Sequence, residues 1–247
     1  LTLGGSVSAI LAAPGEQDRY TFNLAANALL YFDALTNNGS FQWSLSGPAG
    51  TAVSNRSFTG SDGNSFFPNP VLALPSGAYT LTVTAIGQST GNYAFRLSDL
   101  ATATTLTPGT AVSDALNPAN STNLYQFSAA AGQSFYFARL SGSGGSFNDN
   151  WRLIDPYGNV PFNTVLSSDA GRLTLTAAGT YTLLVEGFVG DTGTGNYSLN
   201  VAPITDTTQA LALGGTANGA LAGPGQQDRY TFNLAANALL YFDALTN

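Results

Sequence analysis

The chain has 247 residues, 44% of them hydrophobic and only 9% charged, and fourteen acids against seven arginines give a formal net charge of -7 with no lysine. So few basic residues exclude a nucleic-acid-binding face, because phosphate contacts need clustered Lys and Arg. Cys, His and Met are absent, which excludes thiolate and imidazole catalysis and the usual ligands of zinc, copper and iron.

No apolar run in the sequence approaches the roughly 18 residues that span a membrane. No basic-then-apolar signal segment precedes the first repeat. We therefore expect a fragment or a mature interior piece of a longer protein.

Two sequence periods organise the chain. Residues 1–37 return as residues 211–247, an offset of 210 residues, and the last 21 residues of the two copies are identical. A diverged period of about 105 residues lies inside this block, because Tyr20 and Phe22 match Tyr125 and Phe127. The shorter period is the predicted domain.

Further matches give the domain boundaries. Trp43 recurs as Trp151, and GNYAFRL at residues 91–97 returns as GNYSLNV at 195–201. The predicted units are residues 1–101 (repeat A), residues 102–206 (repeat B) and residues 207–247, a partial third repeat that copies the start of repeat A. The partial repeat is too short to bury a sheet face, so the expectation is that its continuing chain or a neighbour completes it, or else that it is disordered.

Short segments rich in Tyr, Phe, Val, Leu and Thr alternate with polar residues along each repeat, as in YTFNL at residues 20–24 and YTLTV at 79–83. This alternation predicts antiparallel strands with one packed face. The Ala-rich link at residues 25–27 predicts a hairpin connection, and Trp43 and Trp151 are predicted to lie in the cores. About seven strands per repeat predict an all-β fold of tandem β-sandwiches.

One predicted strand, LLYF at residues 29–32, is apolar on both faces, as is its counterpart FYF at residues 135–137. Such a strand is either central and covered on both sides by its own domain, or buried on one face against the next repeat or another chain. For the second case we assign an assembly surface to Leu30, Phe32, Phe135 and Phe137.

The sequence resembles the bacterial pre-peptidase C-terminal domain, which occurs behind secreted peptidases and in tandem in large surface proteins. The resemblance rests on D-x-Y-x-F at residues 18–22, on the segment from Trp43 to Gly50, and on the closing G-N-Y motifs at residues 91–97 and 195–201. It covers nearly all of both complete repeats. The resemblance implies a jelly-roll-like β-sandwich.

The same resemblance implies a possible calcium site near the start of the domain, since some members bind calcium through acidic and amide oxygens. Its candidates here are Glu16, Asp18 and Asp33. Repeat B has Ser121 and Asn123 at the first two positions and the third repeat replaces Glu16 by Gln. The alternative is that Asp18 bonds backbone amides or Arg19 at a strand start.

Other chemistry-bearing motifs predict turns rather than sites. The G-x-S-x-G pattern at residues 87–91 lacks a His base and links two predicted strands. Loops at residues 61–64 and 190–193 carry the Asp and Gly of ordinary turns. A glycosidase would need a pair of carboxylates. The candidates for such a pair are Asp62, Asp149, Asp155 and Glu186, and none of them lies in a recognisable motif.

These observations predict a structural or adhesive extracellular protein, part of a filament, sheath, surface layer or long adhesin stalk, and not an enzyme. Its expected partners are copies of itself or neighbouring repeats and cell-surface polysaccharide, without nucleic acid or a membrane span. The alternative is a polysaccharide- or collagen-binding module that anchors a secreted enzyme. No cofactor is expected apart from the calcium considered above.

Overall fold

The computed structural model describes residues 1–62, 69–144 and 149–246, and it confirms the predicted all-β fold with antiparallel sandwiches. Repeat A contains eight strands within its described residues, one more than expected. They are β1 (Ser6–Leu11), β2 (Gln17–Leu24), β3 (Ala28–Ala34), β4 (Phe41–Gly47), β5 (Gly50–Ser57), β6 (Val71–Leu74), β7 (Gly77–Ala85) and β8 (Gly91–Asp99).

The eight strands form two four-stranded sheets, in the orders β1-β8-β3-β6 and β2-β7-β4-β5. Apart from β4 and β5, which pair as a hairpin in one sheet, consecutive strands lie in different sheets, which is the jelly-roll arrangement. β2 and β3 therefore lie in different sheets, so the predicted hairpin at residues 25–27 is wrong. The short link instead carries the chain from one layer of the sandwich to the other.

Repeat B has the same order of strands. They are β9 (Thr104–Thr105), β10 (Val112–Leu116), β11 (Thr122–Ala129), β12 (Ser134–Ser143), β13 (Asn150–Ile154), β14 (Phe162–Val165), β15 (Gly171–Thr174), β16 (Gly179–Glu186) and β17 (Gly195–Ile204). One sheet is β10-β17-β12-β15 and the other is β14-β13-β16-β11-β9. The additional strand β9 pairs with β11 in parallel at the sheet edge.

Each sandwich encloses its own aromatic core. In repeat A, Phe32 stacks on Trp43 with ring centroids 4.0 Å apart and an interplanar angle of 7°. In repeat B, Trp151 packs edge-on against Phe162. Both tryptophans are fully buried, which confirms the predicted core position and follows from the apolar area that each ring removes from water.

The chain divides into two compact units, Leu1–Pro203 and Ile204–Asn247. The first holds both sandwiches. In the second, β18 (Thr207–Ala210) pairs in parallel with β19 (Asp228–Thr231). Its apolar side chains at residues 239–242 are largely exposed, because no further strand among its described residues covers them.

Candidate functional site, the joint between the two sandwiches

The most unusual site in the first unit is the contact between the sandwiches, which we call the joint. Strand β3 turns one face inward and the other toward repeat B. On the second face Tyr31 is fully buried and packs with three buried residues and several partly buried ones. These neighbours are Leu29, Val71 and Leu100 from repeat A, and Leu124, Ile154, Val160 and Leu184 from repeat B.

This packing decides between the two interpretations of the doubly apolar strand in repeat A. Its second face is buried against the next repeat, and that face carries Tyr31 rather than the residues that we predicted. Leu30 and Phe32 lie inside the core of repeat A, and Phe135 and Phe137 lie inside the core of repeat B. The assignment of these four residues to an assembly surface is therefore corrected, because their side chains point into the sandwiches.

A hydrogen-bonded network of polar groups crosses the joint beside the apolar contacts. The Tyr31 hydroxyl donates to Glu186 Oε1 of repeat B over 2.9 Å and lies 3.2 Å from Thr122 Oγ1. Glu186 Oε2 in turn accepts from Arg152 Nε at 3.0 Å. Burial raises the pKa of Tyr31 well above its ordinary value, and the charge on Glu186 adds to this. Tyr31 is thus a neutral donor that satisfies a buried carboxylate.

A second ion pair enters the joint from repeat A. Arg96 Nη2 donates to Asp33 Oδ2 over 2.6 Å, and Arg96 also bonds the Thr122 carbonyl of repeat B. The Thr122 amide donates to the same Asp33 oxygen at 3.3 Å. Burial raises the pKa of Asp33, while Arg96 opposes that rise. Both ions of this pair therefore bond directly to the backbone of the other sandwich.

A third carboxyl group, that of Asp62, completes the network. Oδ2 of Asp62 accepts a hydrogen bond from the Ala34 amide. The remaining oxygens, Oδ1 of Asp62 and Oδ1 of Asp33, are both buried without a donor from any other group of the described residues. Burial raises the pKa of Asp62 well above its ordinary value, and the charge on Asp33 raises it further. A proton on Asp62, donated to Asp33, satisfies the pair and removes the repulsion between the two charges.

When Asp62 is protonated, the carboxylates of Asp33 and Glu186 face the guanidinium groups of Arg96 and Arg152. Burial raises the pKa of Glu186, and the charge on Arg152 opposes that rise. Arg152 and Glu186 are both completely buried, and removing one partner of such a pair leaves an uncompensated charge. The joint therefore depends on all of its members at once.

Repeat B also contributes to the core of repeat A. Val189, in the loop after β16, is 5% exposed and belongs to the buried cluster of repeat A, with Phe188 packed beside it. The loop begins at Gly187, where a Cβ atom would lie 1.8 Å from the Ala119 carbonyl oxygen. Only glycine permits this close approach, and the approach positions the inserted valine.

The corresponding outer face of repeat A has a different chemistry. The sequence alignment of the repeats sets Arg152 and Glu186 against Ser44 and Thr84, and it sets Leu184 against Thr82. None of these three side chains of repeat A is buried. Comparing the repeats position by position could have predicted the joint, because an apolar and ionic face in one copy replaces a polar face in the other.

The calcium candidates have other partners in the structure. Glu16 Oε2 accepts from the Ala12 and Ala13 amides at 2.5 and 2.9 Å and closes a turn. Asp33 is part of the joint. No group of three or more acidic side chains in the described ranges is placed to hold a metal ion. The three candidates therefore do not form a metal centre among themselves.

Asp18 bonds a tyrosine rather than the backbone amides or Arg19 that the alternative predicted. Its Oδ2 accepts from the Tyr93 hydroxyl, which also bonds the Tyr20 hydroxyl. Repeat B has an equivalent arrangement, in which the Tyr125 hydroxyl donates to Asp114 over 2.6 Å. This recurring group of tyrosines and an acid holds the two sheets of each sandwich together.

The remaining motifs lie in turns or in buried positions. Residues 87–91 link β7 and β8, as predicted, and residues 190–193 lie in the turn region between β16 and β17. Of the loop at 61–64, residues 63 and 64 are outside the described residues. Asp149 is buried and accepts from the Phe188 amide, whereas Asp155 closes an exposed turn by bonding Tyr157 and Asn159.

No family model and no curated protein matches the sequence. Among solved structures, the chain is similar to the CUB1-EGF-CUB2 domain of human MASP-1/3, with 10% identity, 80% of this chain and 99% of that chain covered, and a TM-score of 0.25. The rat MASP-1 CUB1-EGF-CUB2 domains give 7% identity, 80% and 97% coverage, and a TM-score of 0.25. In the described part of the chain, no helix has the length and apolarity of a membrane-spanning segment.

Proposed function

We propose that this chain is a structural or adhesive extracellular repeat protein, which builds a filament, sheath, surface layer or long adhesin stalk. The observation that carries the proposal is the joint. It encloses a tyrosine, one fully buried ion pair, a second pair whose Arg96 is partly exposed, and an apolar patch, and so it joins repeats A and B into one block. The length of that block matches the 210-residue period of the sequence.

The chemistry of the joint favours a structural role over a catalytic one. Its carboxyl groups are almost fully enclosed, with Asp33 and Glu186 at 0% exposure and Asp62 at 2%, whereas Arg96 is partly exposed. A substrate cannot reach carboxyl groups that are covered in this way, whereas buried polar networks do fix one geometry between packed elements. The resemblance to tandem surface-protein repeats and the acidic, lysine-free composition support an extracellular location.

Electron microscopy of the purified protein tests this function. Under native conditions we expect elongated assemblies. Dispersed single particles at every concentration would contradict a filament or sheath. A pull-down against cell wall, cellulose, chitin and collagen separates the adhesive role, because retention on one of them identifies its ligand class.

A further inference from the structure

The outer edge of β2 in repeat A presents backbone groups without a neighbouring strand. Among the described residues, β2 is the last strand of its sheet and pairs only with β7. The equivalent strand of repeat B is not at the edge, because the linker strand β9 covers it in parallel. The second unit repeats this arrangement, with β18 beside β19.

The two observed pairings have the same register. Thr104 lies opposite Tyr125, and Gln209 lies opposite Tyr230 at the corresponding position. The next hydrogen bond is also shared. The Leu106 amide donates to the Gln126 carbonyl at 2.9 Å, and the Leu211 amide donates to the Thr231 carbonyl at 2.8 Å.

Repeat A contains the hydrogen bond that is equivalent to the one from the Leu211 amide. The Leu1 amino nitrogen donates to the Thr21 carbonyl at 2.7 Å, which is the bond that Leu211 makes in the second unit. The acceptor sequence Asp-Arg-Tyr-Thr is identical at residues 18–21 and 228–231. A strand joined to Leu1 would thus continue along β2 in the register that β18 has on β19.

We propose that the outer edge of β2 is the docking site for a linker segment with the sequence of Thr207–Ala210, supplied by a second copy of the chain joined in tandem ahead of Leu1. The occupant is a covalently joined copy because Leu1 already holds the position of Leu211, so an unlinked strand would have to displace it. Thr207 adds a side-chain contact, since its hydroxyl donates to Asp228 at 2.7 Å. Asp18 is the equivalent of Asp228 in repeat A, so a docked Thr207 would find the same acceptor there. This inference rests on the proposed repeat function and specifies how one block meets the next.

A tandem protein tests the site, with residues 1–210 joined directly to a full second chain and 15N confined to that second chain. The carbonyls of residues 227 and 231, which are four positions apart, accept from the amides of Thr207 and Leu211. Every second residue of this segment therefore faces the neighbouring strand, so the amides of Arg19 and Thr21 should point to the docked strand while that of Tyr20 points to β7. We expect hydrogen exchange at Arg19 and Thr21 to slow by about tenfold or more relative to the single chain. Tyr20 should change little.

Two proline variants of the first copy form a matched pair. Gln209→Pro removes an amide that faces β2, whereas Thr208→Pro removes one that faces away and is tolerated at an edge. We expect only Gln209→Pro to abolish the added protection. Unchanged exchange in the tandem protein, or equal effects of the two prolines, would overturn the docking site. If the docking site fails this test but microscopy shows filaments, the proposed structural function is still supported.

Discussion

Tyr31 and Tyr241 occupy the same position of a 21-residue sequence that occurs twice. Tyr31 is fully buried in the joint and Tyr241 is 89% exposed. Comparing the same substitution at Tyr31 and at Tyr241 therefore separates the contribution of the joint to stability from that of the local sequence. The same holds for Asp33 and its exposed copy, Asp243.

Replacing Tyr31 by Phe should lower the free energy of unfolding by about 1–3 kcal/mol, because Glu186 Oε1 would lose a buried donor. Tyr241→Phe removes the same hydroxyl from an exposed side chain and should change it by less than about 0.5 kcal/mol. Urea unfolding of both variants measures the difference. Similar values for the two would show that the buried hydroxyl does not stabilise the joint.

The raised pKa of Asp62 makes stability dependent on pH. The folded chain keeps this proton to a higher pH than the unfolded chain, whose Asp pKa is about 4. The resulting stabilisation is complete below about pH 4 and is lost as the pH rises through the raised value. The raised pKa values of Asp33 and Glu186 act in the same direction.

We therefore expect the free energy of unfolding to fall as the pH rises above about 4, the pKa of Asp in the unfolded chain. Few other side chains titrate in the window up to neutral pH because the chain has no His. Asp62→Asn keeps a donor toward Asp33 and should reduce this slope. Asp243→Asn should leave it unchanged. Denaturant titrations across the window provide the measurement, and a stability that rises with pH would contradict the protonated pair.

At the scale of single elements, the same 21-residue sequence adopts two different structures in its two copies. Residues 17–37 contain β2 and β3 in repeat A, while the described part of the identical copy, residues 227–246, contributes only β19 to a two-stranded pair. The difference lies in the partners, since β7 and β8 supply the pairing for the first copy. Two strands without a covered face are marginal in water.

Limited trypsin digestion should therefore cut after Arg229 before it cuts after Arg19, although the neighbouring residues are identical. Arg19 lies in a strand of a four-stranded sheet, and cleavage there requires opening of a packed sandwich. Mass spectrometry of early time points should find residues 1–229 as the first product. Early cleavage at Arg19 would indicate that β2 opens as readily as β19.

The alternation of apolar and polar residues predicted the strands and the sandwich class, because a half-buried strand exposes every second side chain. It could not assign the faces of β3. A strand that is apolar on both sides gives no signal for which face meets its own core, and here Leu30 rather than Tyr31 does. The hairpin prediction at residues 25–27 was wrong for a related reason, since link length does not reveal whether two strands share a sheet.

At the scale of the whole molecule, the two repeats have diverged to fit each other. The outer face of β13 and β16 in repeat B carries Arg152, Ile154, Leu184 and Glu186, and it meets the outer face of β3. Repeat A has polar residues at the aligned positions. One pair of unlike sandwiches is therefore the natural unit, which explains why the strongest period is 210 residues rather than 105.

Giving repeat B the residues of repeat A at two of these positions, Ile154→Ser with Leu184→Thr, should uncouple the sandwiches without disturbing either core. We expect calorimetry to show two unfolding transitions in place of one for residues 1–203. The control Ser46→Thr changes an exposed position of the matching face and should keep one transition. A single, unshifted transition in the double variant would show that the joint does not couple the repeats.

The position of the first and last strands in each sandwich determines how these blocks respond to force. β1 lies beside β8, with Ser6 opposite Arg96 and Leu11 opposite Gly91, so the chain enters and leaves the sandwich at the same end. Tension along the polypeptide would therefore peel the two strands apart one hydrogen bond at a time instead of shearing all of them together. A stalk built from such blocks would lengthen in steps under load and absorb energy as it does so.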